Sequence, residues 1–231
     1  AVKDLRMFWR DTTQWGQSVM FFGLLGAYII NLRNFTHQLT SPFWINAVAF
    51  LNLGACAFNL ASVTTRFVFP QFSLEGRRLW IVGMSPMGLP RIVKTKYWLA
   101  STLSLVVTLG LVLLSCYLLK MPWDDVAFFG AVITVMTFAL NGLAVGLGVL
   151  FPNIKETNPN KIVSGFGGTL CFVLSSTYII AALALLVAGG GGFHARTDLA
   201  FLCITAFMAL SFAVGWLPMT GGLRHLKNFE A

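Results

Sequence analysis

Few side chains in this sequence can take up or release a proton near neutral pH. The acids are Asp4, Asp11, Glu75, Asp124, Asp125, Glu156, Asp198 and Glu230, and the histidines are His37, His194 and His225. None falls in the middle of an apolar run, where a proton-coupled carrier or an intramembrane metalloprotease needs its ionisable groups. Asp124 and Asp125 are paired, but on the six-residue connection Lys120–Asp125, where a solvated turn that stops a helix accounts for them. Cys56, Cys116, Cys171 and Cys203 lie inside apolar runs without metal-ligand spacing, so they are expected as small core residues with no disulfide. The chain contains no GxxxxGK[ST] loop to cradle phosphates, so it is not expected to hydrolyse ATP or to carry a cofactor of its own.

The remaining polar chemistry inside the apolar runs is that of amides and hydroxyls. Asn52 and Asn59 are seven residues apart on one helical face, with Cys56 between them. Such a stripe either hydrogen-bonds to a neighbouring helix or lines a substrate path. Asn141 poses the same choice. It precedes Gly142 and Gly146, a small-xxx-small pair that permits close helix packing. Gly165, Gly167 and Gly168 mark a bend or a close approach. So few polar groups suit a lipidic or amphipathic substrate, or mechanical work relayed through a bundle, better than a small hydrophilic solute.

The cations are concentrated elsewhere. Phe69–Trp98 holds Arg77, Arg78, Arg91, Lys94 and Lys96 with one acid, Glu75. Pro70 sets the exit from the preceding run. Glu75 is expected in the first turn of a short helix, where an acid suits the dipole. Ser85-Pro86 then restarts the chain as an N-cap followed by proline. Two readings stand: an anchor to anionic lipid that also sets topology, or a short transverse helix that fits a groove in a soluble partner.

These residues must be positioned by membrane helices. The 231-residue chain is 57% hydrophobic and only 10% charged, with mean hydropathy +0.77. A soluble domain runs about 25% charged, so a water-facing surface cannot be built here. Six apolar runs approach the ~20 residues needed to cross a bilayer: Gly16–Leu32, Phe43–Thr65, Trp98–Leu119, Val126–Leu150, Val163–Val187 and Leu199–Leu217. The expected fold is an all-α polytopic bundle of six transmembrane helices forming a single domain, 1–231. Val2–Gln14 mixes cations with Leu5, Phe8 and Trp9 and is expected to lie as an interfacial helix over 1–14. Alternate connections divide Lys and Arg 13 against 3, which puts both termini and the 66–97 segment in the cytoplasm. Trp9, Trp15, Trp80, Trp98 and Trp216 fall near the inner boundary and Trp44 and Trp123 near the outer one, as an aromatic belt requires. The net charge of +8 is thus a membrane signature, and no nucleic-acid partner is expected. Asn158-Pro159 is a helix start of the same kind as Ser85-Pro86.

The order of an interfacial helix, two spans, a cytoplasmic helix with E-x-x-R followed by small-Pro, and four more spans resembles the membrane subunit of ABC exporters of the type-two permease class. Leu74–Met87 (LEGRRLWIVGMSPM) and Lys96 match that family's coupling segment. Gly146–Gly168 is similar to a bacterial branch of exporters whose permeases are about twice this length, so the chain would be a C-terminal half. The connection Ala188–Asp198 is too short for the large extracellular element that many members carry. The resemblance implies a non-enzymatic permease subunit in a bacterial inner membrane. It implies a separate P-loop ATPase that carries the ATP, and a second permease half or a second copy of the chain. Glu75, Arg77 and Arg78 would make polar docking contacts, and Leu74, Trp80 and Ile81 apolar ones. A membrane-embedded lipid-modifying enzyme using His37, Asp124, Asp125 or His194, and a non-transporting scaffold, are the alternatives.

Overall fold

A backbone placed in hydrocarbon must satisfy its own hydrogen bonds, and long apolar segments do so as helices. The computed structural model describes residues 23, 26, 42–76, 89–119, 121–153, 156, 158–190 and 197–230, and among these it is helical without strands. The elements are α1 (Pro42–Val63), a π-helical turn (Thr64–Val68), α2 (Gln71–Glu75), α3 (Leu89–Leu118), α4 (Trp123–Leu150), α5 (Pro159–Val163), α6 (Phe166–Gly190) and α7 (Thr197–Glu230). Among the described residues five helices are long and apolar enough to cross a membrane: α1 with its continuation to Leu74, α3, α4, α6 and α7. This is the all-α membrane bundle that the apolar runs imply. The first apolar run and the interfacial segment 1–14 lie outside the described residues, apart from Gly23 and Gly26.

Helix ends depart from the apolar runs where hydrogen bonding and hydropathy disagree. α3 begins at Leu89, so Arg91, Lys94 and Lys96 lie on one helix continuous with the third apolar run. α7 runs through Pro218 to Glu230. Asp124 and Asp125 start a helix instead of stopping one. They occupy the first turn of α4 behind an N-cap at Pro122, where their charge suits the dipole. Asn158 does cap α5: its side chain accepts from the Asn160 backbone N–H at 3.0 Å, with Pro159 in the first turn. The chain then breaks at Ser164 and Gly165, so the fifth apolar run opens on the last residue of α5 and continues as α6.

α4 is the centre of the bundle. It contacts α1, α3, α6 and α7, as well as the π turn and α2. Every residue from 139 to 149 is buried, the pattern of a helix surrounded on all sides. Its longest seam is with α7, where side chains are too small to separate the backbones. A Cβ on Gly142 would lie 2.6 Å from the Gly215 carbonyl oxygen, and one on Gly146 would meet the Pro218–Met219 backbone. Two apolar clusters follow along α4. One gathers Leu53, Ile133, Met136, Leu140 and Ile179. The other, toward the C-terminal end of α4, gathers Val68, Phe69, Val93, Leu147, Val149 and Ile162. The four cysteines are free and buried.

Candidate functional site

The short arm that leaves α1 is built by a change of helical gauge. At Thr64–Val68 the turns widen, and the Phe69 N–H donates to the Thr64 carbonyl at 3.0 Å. Pro70 has no N–H to continue the helix and instead occupies the N-cap of α2, whose Leu74 N–H donates to the Pro70 carbonyl at 2.9 Å. Because α2 starts at Gln71, Glu75 is its last residue and not in its first turn, contrary to the expectation from sequence.

The arm is keyed into the bundle. Phe69 is 1% exposed. Its carbonyl lies where a Cβ on Gly148 of α4 would be, and its ring tip is 2.9 Å from the position of a Cβ on Gly167 of α6. Any larger residue at either glycine would push the arm away. The Ser73 hydroxyl, also buried, accepts from the Asn153 N–H just beyond α4 at 3.1 Å. Lys96 of α3 donates to the Gln71 carbonyl at 3.5 Å. Phe72 packs on the same cluster as Phe69, and Leu74 emerges exposed. Of the docking residues read from sequence, Leu74 and Glu75 therefore sit on this anchored arm. Arg77, Arg78, Trp80 and Ile81 lie outside the described residues, as does Ser85-Pro86.

Two of the amides within the apolar helices, Asn52 and Asn141, face α3. Asn52 of α1 donates its Nδ2 to the Ser115 hydroxyl. Asn141 of α4 donates to the Ser104 hydroxyl at 2.8 Å and to the Thr137 carbonyl of its own helix at 2.9 Å. Between them the Thr108 and Thr137 hydroxyls are 3.3 Å apart. Asn59 is half-buried on α1. Sequence reasoning overlooked the α3 side of this seam. Ser101, Ser104, Thr108 and Ser115 recur at helical spacing on one face, and that periodicity was the available signal. A further bond joins the Tyr178 and Ser211 hydroxyls at 2.8 Å between α6 and α7. The crevice beside Asn52, lined by Val112, Cys116 and Phe129, is too tight for a water molecule. Among the described residues no His, Cys, Asp or Glu side chains gather as a metal site requires. The described acids stay at helix ends, with Glu156 3.8 Å from Lys161.

A family model described as "Putative ATP-binding cassette" matches residues 1–231. The chain belongs to that ABC family. No curated protein and no solved structure matches it. The family places the chain in the context of ABC transporters, and the span-length helices make this ABC chain an integral membrane protein. What its geometry offers is a bundle with a buried centre, hydroxyl–amide seams between helices, and one buried aromatic knuckle at the root of a short arm on which Leu74 is exposed.

Proposed function

We propose that the chain is the transmembrane permease subunit of an ATP-driven exporter. The 69–98 segment would dock a separate ATPase. The observation that supports this reading most is the seating of Phe69 between Gly148 and Gly167, with Ser73 tied to Asn153. A segment that served only to anchor lipid would not need such a seat. A segment that receives a push must be stiffly joined to what it moves.

In this reading the ATPase contacts Leu74, Glu75, Arg77, Arg78, Trp80 and Ile81, and it carries the nucleotide. ATP-driven closure moves the arm. The arm tilts the end of α1 through the π turn and the start of α3 through Lys96, and the Phe69 seat carries the push on into α4 and α6. Two populations of the bundle, open to opposite sides, would then be biased by the nucleotide state. A second permease half or a second copy completes the pathway. The setting is a bacterial inner membrane with both termini in the cytoplasm.

The test is purification in mild detergent of the wild type beside an Arg77→Glu/Arg78→Glu double variant, with identification of the co-purifying proteins. A P-loop ATPase retained by the wild type and lost by the variant is the expected result. Absence of an ATPase from both samples, with the protein stable and inserted, would overturn the proposal.

A further inference from the structure

Along α3, Lys96 turns toward the arm, and a different face carries Arg91, Lys94, Thr95 and Trp98, all exposed. Their spacing of three and four places them on one side of the helix. α3 begins at Leu89 and its apolar run begins at Trp98, so this stripe leads from the cationic start of the helix into its apolar part. Read inward it runs from two cations to an indole, 59% exposed, and then to exposed Thr102 and Val106. The Thr95 hydroxyl is turned back onto the Arg91 carbonyl at 2.9 Å. Among the described side chains the one ion pair is Lys161–Glu156, and neither Arg91 nor Lys94 has an acidic partner. The first turn of α3 adds the positive end of its dipole to the same region.

We propose that this stripe binds an anionic phospholipid. Arg91 and Lys94 hold the phosphate, Trp98 packs against the glycerol region, and an acyl chain follows the face of Thr102 and Val106. The order of groups decides between occupants. A soluble acidic partner could neutralise the two cations, but it could not cover the indole and valine that continue into the hydrocarbon. A phospholipid presents charge, ester region and alkyl chain in that same sequence. Arg91, Lys94 and Trp98 belong to the 69–98 segment but are not among the ATPase contacts named above, and the test contains no ATPase.

The experiment is native mass spectrometry of the purified chain titrated with phosphatidylglycerol or with phosphatidylcholine of the same acyl chains. The wild type is expected to bind phosphatidylglycerol more tightly. The Arg91→Gln/Lys94→Gln variant is expected to lose about thirty-fold in that affinity, the factor that two cations at an anionic surface supply. Arg224→Gln, which removes an exposed cation at the end of α7, is expected to leave it unchanged. Equal affinity of the wild type for the two lipids would overturn the proposal without recourse to any variant. An equal loss in Arg224→Gln would also overturn it, by reducing the effect to net charge. Undiminished phosphatidylglycerol binding by the double variant would overturn it too and would leave the stripe to a soluble acidic partner.

Discussion

α4 and α7 would be hard to tell apart on a hydropathy plot. Their span-length segments have 28 and 27 residues, and an apolar eighteen-residue stretch of each has mean hydropathy 1.9 and 2.1, yet 83% of that stretch is buried in α4 and 17% in α7. The difference is in how the apolar character is composed. The buried stretch of α4 interleaves Thr137, Asn141, Gly142, Ala144, Gly146 and Gly148 with its aliphatic residues. α7 spends its bulk on an exposed side, with Phe201, Leu202, Phe212, Trp216 and Leu217 exposed and Phe212 stacked on Trp216. In hydrocarbon a large apolar side chain gains little by leaving lipid for protein. Small residues that let backbones approach, and polar ones that need a partner, mark the inward face.

The most severe way to break this contrast is to widen the α4–α7 seam. Gly146→Leu is expected to cost about 3 kcal/mol or more, because the obstacle is the Pro218–Met219 backbone and cannot rotate away. Gly110→Leu on α3, where a Cβ meets nothing within 4 Å, should stay within about 0.5 kcal/mol. Denaturation in mixed micelles would measure both, and similar midpoints would mean that the seam does not hold. A matched pair sharpens the comparison. Met136 on α4 is 0% exposed and Met208 on α7 is 50% exposed. Met136→Ala should destabilise by about 2 kcal/mol through the cavity it leaves, and Met208→Ala by about 0.5 kcal/mol or less. The same assay on Asn141→Leu should show a loss of about 1 kcal/mol as the bond to Ser104 disappears. Thr205→Val is the smallest effect expected, within about 0.5 kcal/mol, because the Thr205 hydroxyl bonds only within its own exposed turn. A larger effect there would point to a partner covering that face of α7.

Much of the helical order was legible because composition and length decide it. The cap at Asn158, the break at Gly165 and the packing glycines Gly142 and Gly146 were legible too, since each has a local signature. The boundaries were harder. Hydropathy falls at Lys96 although the α3 hydrogen bonds continue back to Leu89, and Pro218 does not end α7. Asp124 and Asp125 were read as an end because charge leaves a membrane equally well before a helix as after one. The seat of Phe69 was not legible. It pairs an aromatic residue on one helix with glycines on two others, and the accompanying bond from Asn153 to Ser73 spans eighty positions. No periodicity within one segment announces such a fit. The docking residues from Arg77 to Ile81 lie beyond the described arm, so the structure speaks to the root of that site.

The π turn gives the number of residues in the chain a role of its own. One residue advances an α-helix by about 100°, and a π turn is the form an α-helix takes when it accommodates an extra residue. Removing any one of Thr64–Val68 would close the widened turn and abolish the bond from the Phe69 N–H to the Thr64 carbonyl, so the backbone that presents Phe69 to Gly148 and Gly167 would change even with Phe69 itself kept. A side chain there can be replaced by one of like shape. A lost position cannot, so tolerance to substitution and tolerance to deletion should part company at this turn.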